Sequence, residues 1–150
     1  MKRLYLAYGS NLNVRQMHFR CPGAKVIGTA EIRNYELLFK GSWSGSYLTI
    51  EKKRGGKVPV AVWEVSAENE KALDRYEGFP TFYYKKNMNV NVKLLDGTIE
   101  RRAAFVYIMH EERSLGEPSQ AYIDVCREGY REFGFEERFI DNAIERSVRM

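Results

Sequence analysis

The sequence predicts an α+β protein: a small mixed or antiparallel β-barrel with flanking helices, forming one domain over residues 1–150. Three features point there. Met88, Val90, Val92 and Leu94 alternate with Asn87, Asn89, Asn91 and Lys93, the period-two pattern of a strand with one face buried. Turn formers separate the strand-like stretches, above all Asp96-Gly97. Helical stretches lie between or after the strands and do not alternate with them, which argues against a doubly wound parallel sheet.

The elements follow in chain order. Arg3 to Tyr8 reads as a short apolar strand that breaks at Gly9-Ser10-Asn11. Asn13 can cap a helix from Val14 to Arg20, which stops before Pro22. Ala24 to Phe39 is extended, with a kink expected at Gly28. Ser46 to Glu51 and Val58 to Val65 are expected to pair as a hairpin across Lys53-Arg54-Gly55-Gly56-Lys57. Ser66 opens a helix with Glu68 and Glu70 in its first turn, ending near Gly78. Phe82 to Leu95 and Thr98 to Met109 form the next strand pair. A polar loop, His110 to Pro118, leads to two helices, about Ser119 to Phe133 and Glu136 to Arg149, with Gly134 between them.

Composition narrows the function classes. Hydrophobic residues make up 44% and aromatic residues 13%, too many for a chain whose main state is disordered. No apolar run approaches the ~20 residues of a membrane span. The start of the chain lacks the apolar core and cleavage site of a secretory signal. The net charge of +4 is dispersed, without the basic face and interleaved aromatics of a nucleic-acid binder. Cys21 and Cys126 do not suggest a disulfide framework and fit a reducing, cytoplasmic setting. With His18 and His110 as the sole histidines, no zinc-ligand spacing occurs, and neither a Walker loop nor a GxGxxG is present.

Two stretches carry candidate chemistry. Tyr8-Gly9-Ser10-Asn11-Leu12 joins a strand directly to a helix, so its backbone N–H groups can hold a carboxylate or an oxyanion. Glu77 falls in the last turn of its helix, where the dipole disfavours negative charge. Its pKa should rise, more so if it is buried, as suits a general base.

Together these stretches resemble the γ-glutamylcyclotransferase-like (AIG2-like) family. Tyr8-Gly9-Ser10-Asn11-Leu12 is similar to the family's binding loop, and Leu73-Asp74-Arg75-Tyr76-Glu77-Gly78 to the segment that carries its catalytic glutamate. Weaker likenesses are Trp43 to Ile50, Tyr84 seven residues after Glu77, and Pro118-Ser119-Gln120-Ala121-Tyr122 with Gly129 and Gly134-Phe135. Val60 departs from the pattern, since many members carry Gly there.

The resemblance implies a cofactor-independent enzyme of acyltransferase or lyase type. The α-amine of a γ-glutamyl amino acid or amine would attack its own γ-carbonyl, releasing 5-oxoproline. Glu77 would be the catalytic acid/base, and Tyr8, Gly9, Ser10, Asn11, Leu12, Tyr84 and Tyr122 would bind substrate, with Tyr107 a further candidate. Ser10 is expected to orient by hydrogen bonding. The loops Gly41–Gly45 and His110–Pro118 are expected to form the pocket rim. The implied partner is a small γ-glutamyl molecule, not a nucleic acid or a membrane, and the oligomeric state stays open, a homodimer included. The alternative reading is a non-catalytic module that binds a small molecule or a partner in the same pocket.

Overall fold

The computed structural model describes residues 2–42 and 45–148. Strand β1 (Arg3–Ala7) enters a single 3-10 turn (Ser10–Leu12) and then helix α1 (Val14–Arg20). Two long strands follow, β2 (Lys25–Ser42) and β3 (Gly45–Val65). Helix α2 (Ala67–Glu77) leads to β4 (Tyr83–Leu94) and β5 (Ile99–Met109). A two-residue strand β6 (Ser114–Leu115) and helices α3 (Gln120–Phe133) and α4 (Arg138–Val148) complete the described chain.

The helix ends lie where the polar residues place them. The Asn13 side chain accepts the Gln16 N–H and starts α1. Ser66 and Asn69 cap α2 reciprocally, each side chain taking the other's backbone N–H. Gly78 closes α2 in the left-handed conformation, with φ of 64°. Burial at Ile123, Cys126 and Tyr130 gives α3 the helical stripe that docks it on the barrel.

The sheet order is β3-β1-β5-β4-β2-β6, and β2 also pairs with β3, so five strands close into a barrel. The barrel is mixed because β1 and β5 run parallel at Tyr5 and Phe105. Closure between β2 and β4 rests on two residue pairs, Gly28 with Leu94 and Thr29 with Lys93. A Cβ on Gly28 would lie 2.1 Å from the Lys93 carbonyl oxygen, so the crossing requires glycine. The kink expected at Gly28 is present, as a register shift against β3.

The expected hairpin across Lys53–Lys57 is replaced by one continuous strand. Tyr35 pairs with Lys52 and Arg33 with Lys57, so residues 53–56 of β3 bulge opposite Asn34 alone. Asn34 and Gly55 take positive φ, and the Asn34 side chain accepts the Gly55 N–H. Both halves of β3 find their partner in β2, a pairing distant in sequence, and not in each other. The core is led by Trp63, Tyr107, Tyr130, Phe39 and Phe105. Val60 is fully buried opposite Ala30. Cys21 and Cys126 are both buried and unpaired. No helix is long and apolar enough to cross a membrane among the described residues.

Candidate active site

Where β1 leaves the barrel, its end and the 3-10 turn border a cavity of about 340 Å³. Gly9, Ser10 and Asn11 form one wall, and Glu77, at the last turn of α2, forms another. The Leu12 and Asn13 N–H groups close the turn onto Gly9 and Ser10 carbonyls at 3.0 Å each. The N–H groups of Gly9, Ser10 and Asn11 have no hydrogen-bond partner among the described residues. Three amide donors are therefore free for an anion on one side of the cavity.

The turn is braced from three directions. The Asn11 amide donates to the Tyr5 hydroxyl at 2.8 Å, and Asn11 Oδ1 accepts from Arg20. The Arg20 guanidinium stacks 3.4 Å from the centre of the Tyr76 ring. The Ser10 and Tyr76 hydroxyls share a hydrogen bond of 2.9 Å, the orienting role expected of Ser10. Beneath the turn, Gly129 of α3 presses so close that an added Cβ would come within 2.8 Å of the Asn13 nitrogen. Asn13 Nδ2 donates to the Val125 carbonyl at 3.3 Å, and the Tyr130 hydroxyl to the Tyr8 carbonyl at 3.3 Å.

Glu77 is half-buried and lines the cavity. It makes no hydrogen bond or ion pair among the described residues. Burial pushes its pKa up to about 8, against a weaker lowering by the charge of Arg20. The sequence assigned part of this rise to the helix end, whereas desolvation is the leading cause. Helix α2 is held on the barrel by Lys85, which pairs with Glu70 at 2.6 Å and Asp74 at 3.0 Å. Asp74 also accepts the Tyr107 hydroxyl at 2.6 Å.

Tyrosines supply most of the remaining wall. The Tyr8 hydroxyl donates to the Tyr107 carbonyl at 2.7 Å and the Tyr83 hydroxyl to the Leu48 carbonyl at 2.8 Å. The Tyr122 hydroxyl accepts the Leu48 N–H at 3.1 Å. Burial first, and the adjacent Glu77 carboxylate second, hold the Tyr5 and Tyr8 hydroxyls above the usual phenol range, so both stay protonated.

The structure thus gathers Glu77, Tyr8, Gly9, Ser10, Asn11, Tyr107 and Tyr122 around one cavity. It does not bring Leu12 or Tyr84 there. Leu12 is fully buried under Gly129. Tyr84 sits on the other face of β4, its hydroxyl donating to the Glu111 carboxylate; the neighbouring Tyr83 faces the cavity instead. Of the expected rim, Gly41, Gly45 and residues 114–117 border a separate shallow depression, and Trp43 and Ser44 lie outside the described residues. Tyr47, Tyr76 and Phe82 line the cavity itself. Sequence reasoning missed Tyr5, Tyr47, Leu48, Tyr76, Phe82, Tyr83 and the bracing Arg20. The available signal was alternation along β4, which puts Tyr83 and Tyr84 on opposite faces.

The raised pKa of Glu77 has a stability consequence. In the folded chain Glu77 keeps its proton up to about pH 8, but once unfolded it loses it near 4.5. The stability linked to this group is complete below the unfolded pKa and is lost as pH rises through the folded one. Glu77→Gln cannot ionise, so its advantage over the parent should grow with pH. At about 1.36 kcal/mol per unit, the gain reaches at most roughly 4–5 kcal/mol near pH 8. Paired melting curves from pH 4.5 to 8 test this, and a gap that stays constant across the series would contradict a Glu77 pKa raised by burial.

Four likenesses, to a family model and to three known proteins, bear on this site. Residues 5–126 match the family model described as "Gamma-glutamyl cyclotransferase, AIG2-like". The chain is 30% identical over 138 residues to a human protein named gamma-glutamylcyclotransferase, covering 87% of this chain and 71% of that protein. It is 29% identical over 143 residues to the mouse protein of the same name, covering 91% and 74%. A solved structure titled "Gamma-glutamyl cyclotransferase" superposes with a TM-score of 0.79 at 26% identity, covering 95% of this chain and 86% of that one.

Proposed function

This chain belongs to the gamma-glutamyl cyclotransferase, AIG2-like family of enzymes, and on that premise we propose that it cyclises the γ-glutamyl group of a small amide, with Glu77 moving the proton. The observation that carries the reading is a half-buried, unpaired carboxyl that lines the same cavity as a turn of unpartnered amide donors. The cavity, about 340 Å³, falls within the range of small-ligand pockets, roughly 300–1,000 Å³.

The substrate's α-ammonium must lose a proton before it can attack. An unperturbed glutamate, near ~4.3, is a poor acceptor for an α-amine near ~8, a mismatch of roughly 5 kcal/mol. Raised to about 8, Glu77 is matched to its task. The freed amine attacks its own γ-carbonyl, a C–N bond forms, and the carbonyl oxygen takes up negative charge. The Gly9, Ser10 and Asn11 N–H groups meet that oxyanion or the substrate α-carboxylate, and one such donor contributes roughly 3–4 kcal/mol. The tetrahedral centre then collapses and the old γ C–N bond breaks: the leaving nitrogen takes the proton held by Glu77, and the ring nitrogen, left with two hydrogens by the attack, gives one to Glu77, which passes it to the departing amine as that leaves as an ammonium. The products are 5-oxoproline and a free amine or amino acid, with no water consumed. The tyrosine walls exclude water and hold the glutamyl chain folded, so that amine and carbonyl meet within one molecule.

The test is a panel of γ-glutamyl amino acids and amines, with 5-oxoproline measured by mass spectrometry. At least one member should release it. Below pH 8, kcat/KM should fall about tenfold per pH unit as Glu77 takes up its proton. An acid limb near the ordinary carboxylate range would remove Glu77 as an elevated-pKa base. No release across the panel from folded protein would favour the non-catalytic binding module.

A further inference from the structure

A second concavity, a groove of about 800 Å³, shares no residue with the cavity above. It opens where the barrel seam parts. Beyond the Gly28–Leu94 and Thr29–Lys93 pairs, β2 and β4 diverge. Consecutive residues 29–33 of β2 and 88–91 of β4 line the groove. Successive residues of a strand point to opposite faces, so a wall made of consecutive residues is the strand's edge, with its backbone included. No strand pairs with this edge of β2 over residues 30–36 among the described residues. The edge loses its regularity at Asn34, which takes a positive φ, and further along helix α4 packs on β2, its Arg146 donating to the Leu37 carbonyl at 3.0 Å and pairing with Glu36 at 3.1 Å. The regular free edge, residues 30–33, extends roughly 13 Å at about 3.3 Å per residue, a short strand.

The charge of the groove is one-sided. Exposed Arg33, Lys52, Lys86 and Lys93 line it without an acidic partner among the described residues. The two acids in its wall are already paired, Glu31 with Lys57 at 3.5 Å and Glu136 with Arg138 at 2.6 Å. Beside the cations the wall is apolar, with Met88, Phe135 and Phe139 packed against the core.

We propose that this groove binds an extended acidic segment of a partner protein, which adds as a strand to the free edge of β2. The backbone edge supplies hydrogen bonds and the cations select acidic side chains on one face of the segment. Met88, Phe135 and Phe139 take apolar side chains from its other face. The same cations guard the edge against indiscriminate pairing. A second copy of this chain would set Arg33 and its basic neighbours against like charges. A nucleic acid would meet the cations but leave the strand edge and the apolar wall unused.

The probe is a fluorescein-labelled, end-blocked hexapeptide of alternating Glu and Val, followed by anisotropy at about 0.1 M salt. Saturable binding is expected. Lys52→Glu combined with Lys86→Glu should weaken it at least about tenfold, while melting and 5-oxoproline release stay at parent levels. N-methylation of alternate residues removes the donors on one edge of the peptide. Of the two possible alternating patterns, one should abolish binding and the other leave it largely intact. No saturation by about 1 mM peptide would overturn the proposal. Equal loss from both N-methylation patterns would overturn it too. Equal affinity for a single-stranded DNA oligomer, lost in the same double variant, would show a general anion patch instead.

Discussion

Glu77→Gln should lose roughly a thousandfold in kcat for 5-oxoproline release and leave KM for the γ-glutamyl substrate nearly unchanged. The amide has the shape of the carboxyl, so the cavity keeps its packing. Glu77 has no hydrogen-bonded partner among the described residues, so the substitution orphans no neighbouring group. What disappears, on the proposed mechanism, is the capacity to accept the ammonium proton and return it to the leaving nitrogen. On the proposed mechanism the free amides of Gly9, Ser10 and Asn11 would still hold the substrate, which is why binding should survive. Single-turnover measurement beside binding of an unreactive γ-glutamyl analogue separates the two effects. A variant with parent kcat would remove Glu77 from the chemistry. One with KM raised and kcat unchanged would make it a binding residue only.

Gly28→Ala should prevent the barrel from closing properly. The new methyl would sit 2.1 Å from the Lys93 oxygen, 2.9 Å from its carbonyl carbon and 3.1 Å from Leu94 Cα. All three are backbone atoms, so no side-chain rotation relieves the clash. The pairs displaced are the two that join β2 to β4. The expected loss is about 3 kcal/mol or more, at the upper end for overpacking, because relief requires the seam to open. Urea unfolding measures the midpoint, and hydrogen exchange at Leu95 reports on the seam itself, with Leu94, bonded to Thr98 in the β4–β5 turn, as the internal control. The Leu95 N–H donates to the Ile27 carbonyl at 3.2 Å and should exchange faster in the variant. An unchanged midpoint would mean that the crossing has room to separate.

Local signals made much of the fold legible. Asn13, Ser66 and Ser119 each cap a helix where the sequence placed one, and Gly78 and Gly134 end two of them in the left-handed conformation. Asp96-Gly97 turns β4 into β5, with the Gly97 N–H bonded to the Leu94 carbonyl at 2.9 Å. Buried Val90 and Val92 against exposed Asn89 and Asn91 follow the alternation. What stayed hidden depends on partners distant in the chain. Gly55-Gly56 carries a turn's composition, yet β2 lies alongside both flanking segments and holds them in line as a bulged strand. Strand β6 is two residues long and exists through pairing with Lys40 and Gly41. In the site, Glu77 and the Tyr8–Asn11 turn were readable because each is a compact run of residues. Tyr5, Tyr83 and Arg20 were not, because their presence there follows from barrel closure and from which face of a strand or helix turns inward.

Helix α3 holds the Tyr8–Asn13 turn through Gly129, Val125 and Tyr130, more than a hundred residues further along the chain. On the ribosome, the amides of this turn are thus among the first groups made and among the last to be fixed. A nascent chain that has completed the barrel strands still lacks the support that sets those amides, so the turn takes its final shape with helix α3 and not with the barrel.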